Sequence, residues 1–174
     1  HQFYDVNREL GIEAIQFADG VHWGLEEVLG NTRVTGTSVN NTLLGTYRPD
    51  NLYGEGGNDI LVGFNGDDVL VGGVGNDNLQ GSNGSDTLLG DTGNDWLNGG
   101  AGADHFIFGR DDDSDQIADF EDDIDTVELR NLGLNSVSDA LSYAVQTGSD
   151  VVFDFGQGDT LTVLNTTISV LGDD

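Results

Sequence analysis

Asp50, Asp59, Asp68, Asp77, Asp86, Asp95 and Asp104 recur at intervals of nine residues, with Asn41 one interval ahead of them. A fold that stacks such positions brings like charges together, and their repulsion opposes folding unless a cation lies between them. A hard divalent ion removes the repulsion by accepting carboxylate and main-chain carbonyl oxygens at roughly 2.3 to 2.6 Å. Calcium fits better than magnesium, because six or more protein oxygens with few waters suit the larger ion. Soft metals have no ligand set in a chain without Cys.

The same carboxylates do not indicate catalysis. Paired acids for glycoside hydrolysis are uninformative here, since Asp at every ninth position is already explained by the repeat. The three His, His1, His22 and His105, form no H-E-x-x-H. Ser142 lies in no G-x-S-x-G context, so no nucleophile is set beside a base. The chain reads as non-catalytic.

The elements that position these acids follow from the rest of the repeat. Eight blocks begin at Gly36, Gly45, Gly54, Gly63, Gly72, Gly81, Gly90 and Gly99, and the register never slips. Position eight is Leu43, Leu52, Leu61, Leu70, Leu79, Leu88, Leu97 and Phe106, one large apolar knob per block. Its two neighbours would point the other way, which describes a short strand with a single inward side chain. The Gly-rich half describes a turn. Successive blocks on alternate sides give a flattened right-handed coil of 18 residues per turn, an all-β parallel β-roll whose position-eight residues meet in a narrow core.

Composition bounds the partners. Five Arg and no Lys stand against 25 Asp and seven Glu, a formal net charge of −27 over 174 residues. Nucleic acid is excluded as an ordinary partner, because counterion release needs clustered cations. No run of about 18 apolar residues exists, which excludes a transmembrane helix. The N-terminus, His1-Gln2-Phe3-Tyr4, carries no Met, basic n-region or apolar h-region, so a cleavable signal is not visible and the start reads as a fragment boundary.

The pattern G-G-x-G-x-D-x-U-x, carried by blocks such as GGVGNDNLQ from Gly72, resembles the calcium-binding nonapeptide of the RTX (repeat-in-toxin, haemolysin-type) family. The C-terminal segment is similar to modules of serralysin proteases and alginate epimerase R-modules. The resemblance implies that each calcium is shared by blocks two apart. One row then pairs Asp50 with Asp68, Asp68 with Asp86 and Asp86 with Asp104; the other pairs Asp59 with Asp77 and Asp77 with Asp95. That makes about five ions, with Asn41–Asp59 as an optional sixth pair. Main-chain ligands are implied at positions one (Gly54, Gly63, Gly72, Gly81, Gly90, Gly99), three (Gly56, Asn65, Val74, Asn83, Thr92, Ala101) and four (Gly57, Gly66, Gly75, Gly84, Gly93, Gly102). Block Gly45 departs from the pattern with Arg48 and Pro49, and block Gly36 with Val39 and Asn41, so these two blocks are expected to cap the roll.

The resemblance also implies a secreted, extracellular module of a larger Gram-negative bacterial protein. It would leave the cell unfolded through the type I secretion machinery and fold in external calcium. The end at Gly172-Asp-Asp174 reads as trimmed, since relatives usually continue with a few apolar residues. The alternative is a polysaccharide-binding accessory domain of an extracellular enzyme or adhesin, for which Arg33, Arg48, Arg110 and Arg130 on one face would be the mark.

Three segments are expected: an N-terminal cap over 1–35, the roll over 36–107, and a C-terminal capping, secretion-associated segment over 108–174. In the first, Ile15, Phe17, Asp19-Gly20, Val21 and Trp23 signal a hairpin. In the last, strands are expected over Gln116–Phe120 and Thr126–Leu129, a Ser-capped helix over Ser138–Val145, and a hairpin of Val151–Phe155 with Thr160–Leu164. Position nine of one sheet, Tyr53, Val71, Leu89 and Ile107, forms an apolar stripe that the C-terminal segment is expected to cover. Trp96 lies outward, open to sugar stacking or to plain exposure; Trp23 reads as cap packing. The acidic runs Asp111–Asp115 and Glu121–Asp125 are either an extra calcium site or solvated loops.

Overall fold

The computed structural model describes residues 33–172 together with the strands Ala14–Gln16 (β1) and His22–Gly24 (β2). β1 and β2 pair antiparallel with Ile15 opposite Trp23, the hairpin that the alternating apolar residues call for. They belong to a unit of their own, residues 1–33, separate from the unit of residues 34–174. Asp19 and Gly20 lie outside the described residues.

The second unit is a parallel roll. Strands β3 (Arg33–Thr37), β5 (Asn51–Gly56), β7 (Val69–Val74), β9 (Thr87–Thr92), β11 (His105–Gly109) and β13 (Thr126–Arg130) form one six-stranded sheet in that spatial order. Strands β4 (Thr42–Leu44), β6 (Ile60–Asn65), β8 (Asn78–Asn83), β10 (Trp96–Ala101) and β12 (Ser114–Ile117) form the other. That second sheet continues through β16 (Asp159–Val163), β15 (Asp150–Gly156) and β14 (Ala144–Thr147). Within the repeats each strand pairs with the strand 18 residues away, so Leu52 faces Leu70 and Leu70 faces Leu88 on one sheet. Leu61, Leu79, Leu97 and Ile117 align on the other.

The strands run from position seven through position three of the next block, six residues and not three. The Gly-rich half is therefore only partly turn. Its first three residues stay in the parallel ladder because their backbone groups still find partners on the next coil, as in Gly57 N–H to Val74 O at 2.8 Å.

Leu52, Leu61, Leu70, Leu79, Leu88 and Leu97 are all fully buried, and Phe106 closes the row. A fully buried Leu contributes about 1.5 to 3 kcal/mol, so this single file is the apolar backbone of the fold. Truncating Leu79 to Ala at the centre of the file is expected to cost about 2 to 5 kcal/mol, because coils above and below cannot collapse into the gap. Denaturant unfolding in saturating calcium measures it; a loss below about 1 kcal/mol would show that the file is loosely packed.

The C-terminal residues finish the roll by changing the sheet. β16 joins β12 in parallel, then β15 and β14 add antiparallel, and Phe108, Phe153, Phe155 and Tyr143 pack together over this end with ring centroids 5.4 to 5.9 Å apart. A short helix α1 (Val137–Leu141) starts at Ser136, whose Oγ accepts the Asp139 N–H at 3.1 Å, and α2 (Ile168–Leu171) follows β16. The expected covering of the apolar stripe is not what the topology shows. These strands extend the sheets edge to edge and do not lie over β5, β7 and β9. Tyr53, Val71 and Leu89 are half-buried and Ile107 is buried. Open hydrogen-bonding edges at the last coil attract further strands more strongly than a face of partly covered side chains does.

Candidate metal centre

The position-six acids leave the strand ends and turn inward. Asp50, Asp59, Asp68, Asp77, Asp86, Asp95 and Asp104 are each at most 3% exposed. Within a row every carboxylate reaches back one coil: Asp68 Oδ1 accepts the Asp50 N–H at 2.7 Å, and Asp86 Oδ1 accepts that of Asp68 at 2.8 Å. Asp77 and Asp95 do the same to Asp59 and Asp77. One oxygen of each acid thus organises the stack.

The other oxygen has no partner. Oδ2 of Asp59, Asp68, Asp77, Asp86, Asp95, Asp104 and Asp115 is buried without a hydrogen bond. Buried carboxylate oxygens without a donor are costly unless something positive meets them. Main-chain oxygens lie beside them. A Cβ on Gly63 would sit 2.9 Å from Gly81 O and closer still to Asp68 Oδ2; on Gly81, 2.6 Å from Gly99 O and against Asp86 Oδ2. Position one must be Gly because these oxygens crowd it. Orphaned carboxylates beside carbonyl oxygens, with no nitrogen or sulfur donor, are the ligand chemistry of a hard cation. The residues therefore fit calcium. Among the described residues no three His, Cys, Asp or Glu side chains group to hold an ion, so any ion here rests on two carboxylates and main-chain oxygens.

Without a cation, burial holds these acids above the usual carboxylate range. It pushes Asp68 up to about 6 and Asp86 and Asp95 to about 7, and raises Asp77 and Asp104, with neighbouring Asp charges adding to the rise.

The other named ligand positions separate by role. Position-three carbonyls serve the sheet ladder, with Val74, Asn83, Thr92 and Ala101 each accepting an N–H from position four of the preceding coil. Position-four glycines take φ between +99° and +143°, and each of Gly75, Gly84, Gly93 and Gly102 packs directly on the carbonyl of its counterpart one coil earlier. The first two blocks lack this turn, since neither Val39 nor Arg48 has positive φ. In them a Thr at position two supplies the missing partner: Thr46 donates its N–H and Oγ1–H to Asp50 Oδ2 at 2.6 and 2.9 Å, and Thr37 does the same for Asn41 Oδ1. Asp50 differs from the acids that follow it for that reason.

Two features were missed from sequence. Asn58, Asn76 and Asn94 donate their N–H groups to the side-chain oxygens of Asn40, Asn58 and Asn76, at 2.9 to 3.0 Å, a second ladder on the turn's outside. Asn at position five of alternate blocks is its signal. The Asp rows also outrun the repeats: Asp115 Oδ1 accepts the Asp95 N–H at 3.0 Å and Asp125 Oδ1 that of Asp104 at 2.9 Å. Their signal is Asp-x-apolar, Asp115-Gln-Ile117 and Asp125-Thr-Val127, with irregular spacing.

Residues 35–115 match, in four overlapping copies, the RTX calcium-binding nonapeptide repeat, a binding motif and not a catalytic one. No curated protein matches the chain. Among solved structures, extracellular lipase LipA from Serratia marcescens is similar at 18% identity and TM-score 0.44, over 81% of this chain and 38% of that one. The AlgE6R3 subunit of the Azotobacter vinelandii mannuronan C5-epimerase is similar at 25% identity and TM-score 0.45, over 77% and 75%. This chain thus spans little more than a third of the lipase. No helix among the described residues is long and apolar enough to cross a membrane.

Proposed function

We propose, from the premise that residues 35–115 are RTX-type calcium-binding nonapeptide repeats, that this chain is a calcium-dependent folding module of a larger secreted protein. The observation that carries the reading is the double file of buried, partnerless Asp Oδ2 atoms. In the pairs Asp59–Asp77, Asp77–Asp95, Asp68–Asp86 and Asp86–Asp104 both members keep such an oxygen, and these pairs hold ions between stacked turns. The Asp50–Asp68 pair is the weakest, because Thr46 already satisfies Asp50. Five divalent ions would carry ten positive charges against a net charge of −27, placed where the negative charge is densest.

A site that exists only when the coils are stacked makes binding energy into folding energy. Such a chain stays extended where calcium is scarce and folds where it is plentiful. That suits export through a type I channel from a Gram-negative cell, followed by folding outside. An anionic polysaccharide has less to grip: Arg110 is engaged by Asp159, and Arg130 by Glu128 at 2.6 Å.

Calorimetric titration tests the ligand assignment. The chain is expected to take up about five calcium ions and no magnesium at equal concentration. Asp86→Asn, shared by two pairs, should remove two, whereas Asp50→Asn should remove at most one weak ion. Absence of saturable calcium uptake would sink the reading.

A further inference from the structure

We propose that Asp115, outside the nonapeptides, holds a further divalent cation with Asp95, and that Asp125, its counterpart on the other row, holds none. The inference rests on the calcium reading above. β12 carries Asp115 onto the row, since Trp96 pairs with Gln116 and Leu97 with Ile117. Asp115 follows Asp95 by 20 residues instead of 18, and the excess is taken up in the turn before β12, where Asp111 and Asp113 adopt φ of 71° and 64°. The acid thereby returns to the position a repeat would have given it.

Asp115 is 0% exposed, and its Oδ2 has no donor. Asp95 Oδ2 is likewise without a partner. The two carboxyls are close enough to hydrogen-bond each other if one is protonated, and the charges acting on Asp115 are those of Asp95 and Asp112, both acids. Arg110, the nearest cation in sequence, is committed to Asp159 and to Gly156 O. Nothing in the protein offsets two dry carboxylates here. A hard divalent ion does.

Asp125 differs in one bond. Its Oδ1 accepts the Asp104 N–H at 2.9 Å and its Oδ2 accepts the Glu121 N–H at 2.8 Å, so the backbone satisfies both oxygens. Asp119 is satisfied in the same manner by Gly99 and Gly100, whose N–H groups reach Oδ1 and Oδ2 at 3.0 and 2.8 Å. One row of ions therefore runs a coil past the last repeat while the other stops at Asp104.

Native mass spectrometry of the full chain in saturating calcium tests this. Asp115→Asn is expected to carry one ion fewer than the parent and Asp125→Asn the same number. An unchanged count for Asp115→Asn, or a lost ion for Asp125→Asn, would overturn the proposal. Should Asp115→Asn fail to fold, a crystal structure of the parent chain with calcium decides: an ion about 2.3 to 2.6 Å from Asp115 Oδ2 is expected. Ions in the nonapeptide turns with none at Asp115 would defeat this inference alone; no ions anywhere would defeat the calcium reading itself.

Discussion

Dialysis against a chelator at pH 7.5 is expected to replace the β-sheet circular dichroism of this chain with that of a coil, and calcium, not magnesium, to restore it. The reason is electrostatic. The folded rows hold acids whose ionisation burial disfavours, with Asp86 and Asp95 pushed up to about 7, Asp68 and Asp112 to about 6, and Asp115 to about 9. Unfolded Asp titrates near 3.9. The cation-free fold therefore binds protons that the unfolded chain does not, and its stability rises as pH falls. The stabilisation is complete below about 4 and is lost as pH rises through 6 to 7. Acidifying the calcium-free coil from pH 7.5 to about 4.5 should thus recover part of the β-signal without metal. Protons and calcium compete for the same oxygens, so calcium affinity should fall over that window. Undiminished β-structure in chelator at pH 7.5 would show that Leu packing alone sustains the roll.

The second large effect concerns Gly84. Its φ is +139°, and a Cβ there would overlap the carbonyl oxygen of Gly66 in the coil below. Gly84→Ala combines backbone strain of about 1 to 3 kcal/mol with an overpacking cost of similar size. Together these approach the whole stability of a small domain, about 5 to 15 kcal/mol. The variant is expected to need far more calcium to fold and to unfold at a much lower denaturant midpoint. Position two is the control. Phe64 also has positive φ, 77°, yet its side chain is partly exposed at 40%, so Phe64→Gly exchanges strain for unfolded-chain entropy and should change stability by less than about 1 kcal/mol. Equal tolerance at both positions would mean that the turns do not stack as closely as the Gly84–Gly66 approach requires.

Much of this molecule was legible in one dimension. The Leu file from Leu43 to Leu97 and the Asp rows lie in the roll where nine-residue counting puts them, because a parallel ladder of 18-residue coils has one register that keeps every Leu inward. The C-terminal elements were legible as well: the hairpin Asp150–Gly156 with Asp159–Val163 and the Ser136-capped helix fall within a few residues of expectation. Where they attach was not. Alternation marks a strand but not which edge it will join, and the cap extends both sheets where covering of Tyr53 and Val71 was expected.

Sequence alone determined the repeat, the parallel roll, the inward Leu and the supply of acids for a hard cation, since each follows from residue type at fixed spacing. The tertiary structure decided which carboxylate oxygens are left without a donor. Thr46 satisfies Asp50, the Glu121 N–H satisfies Asp125, and nothing satisfies Asp115. These differences arise from single hydrogen bonds formed after the turns stack, and period and composition do not encode them.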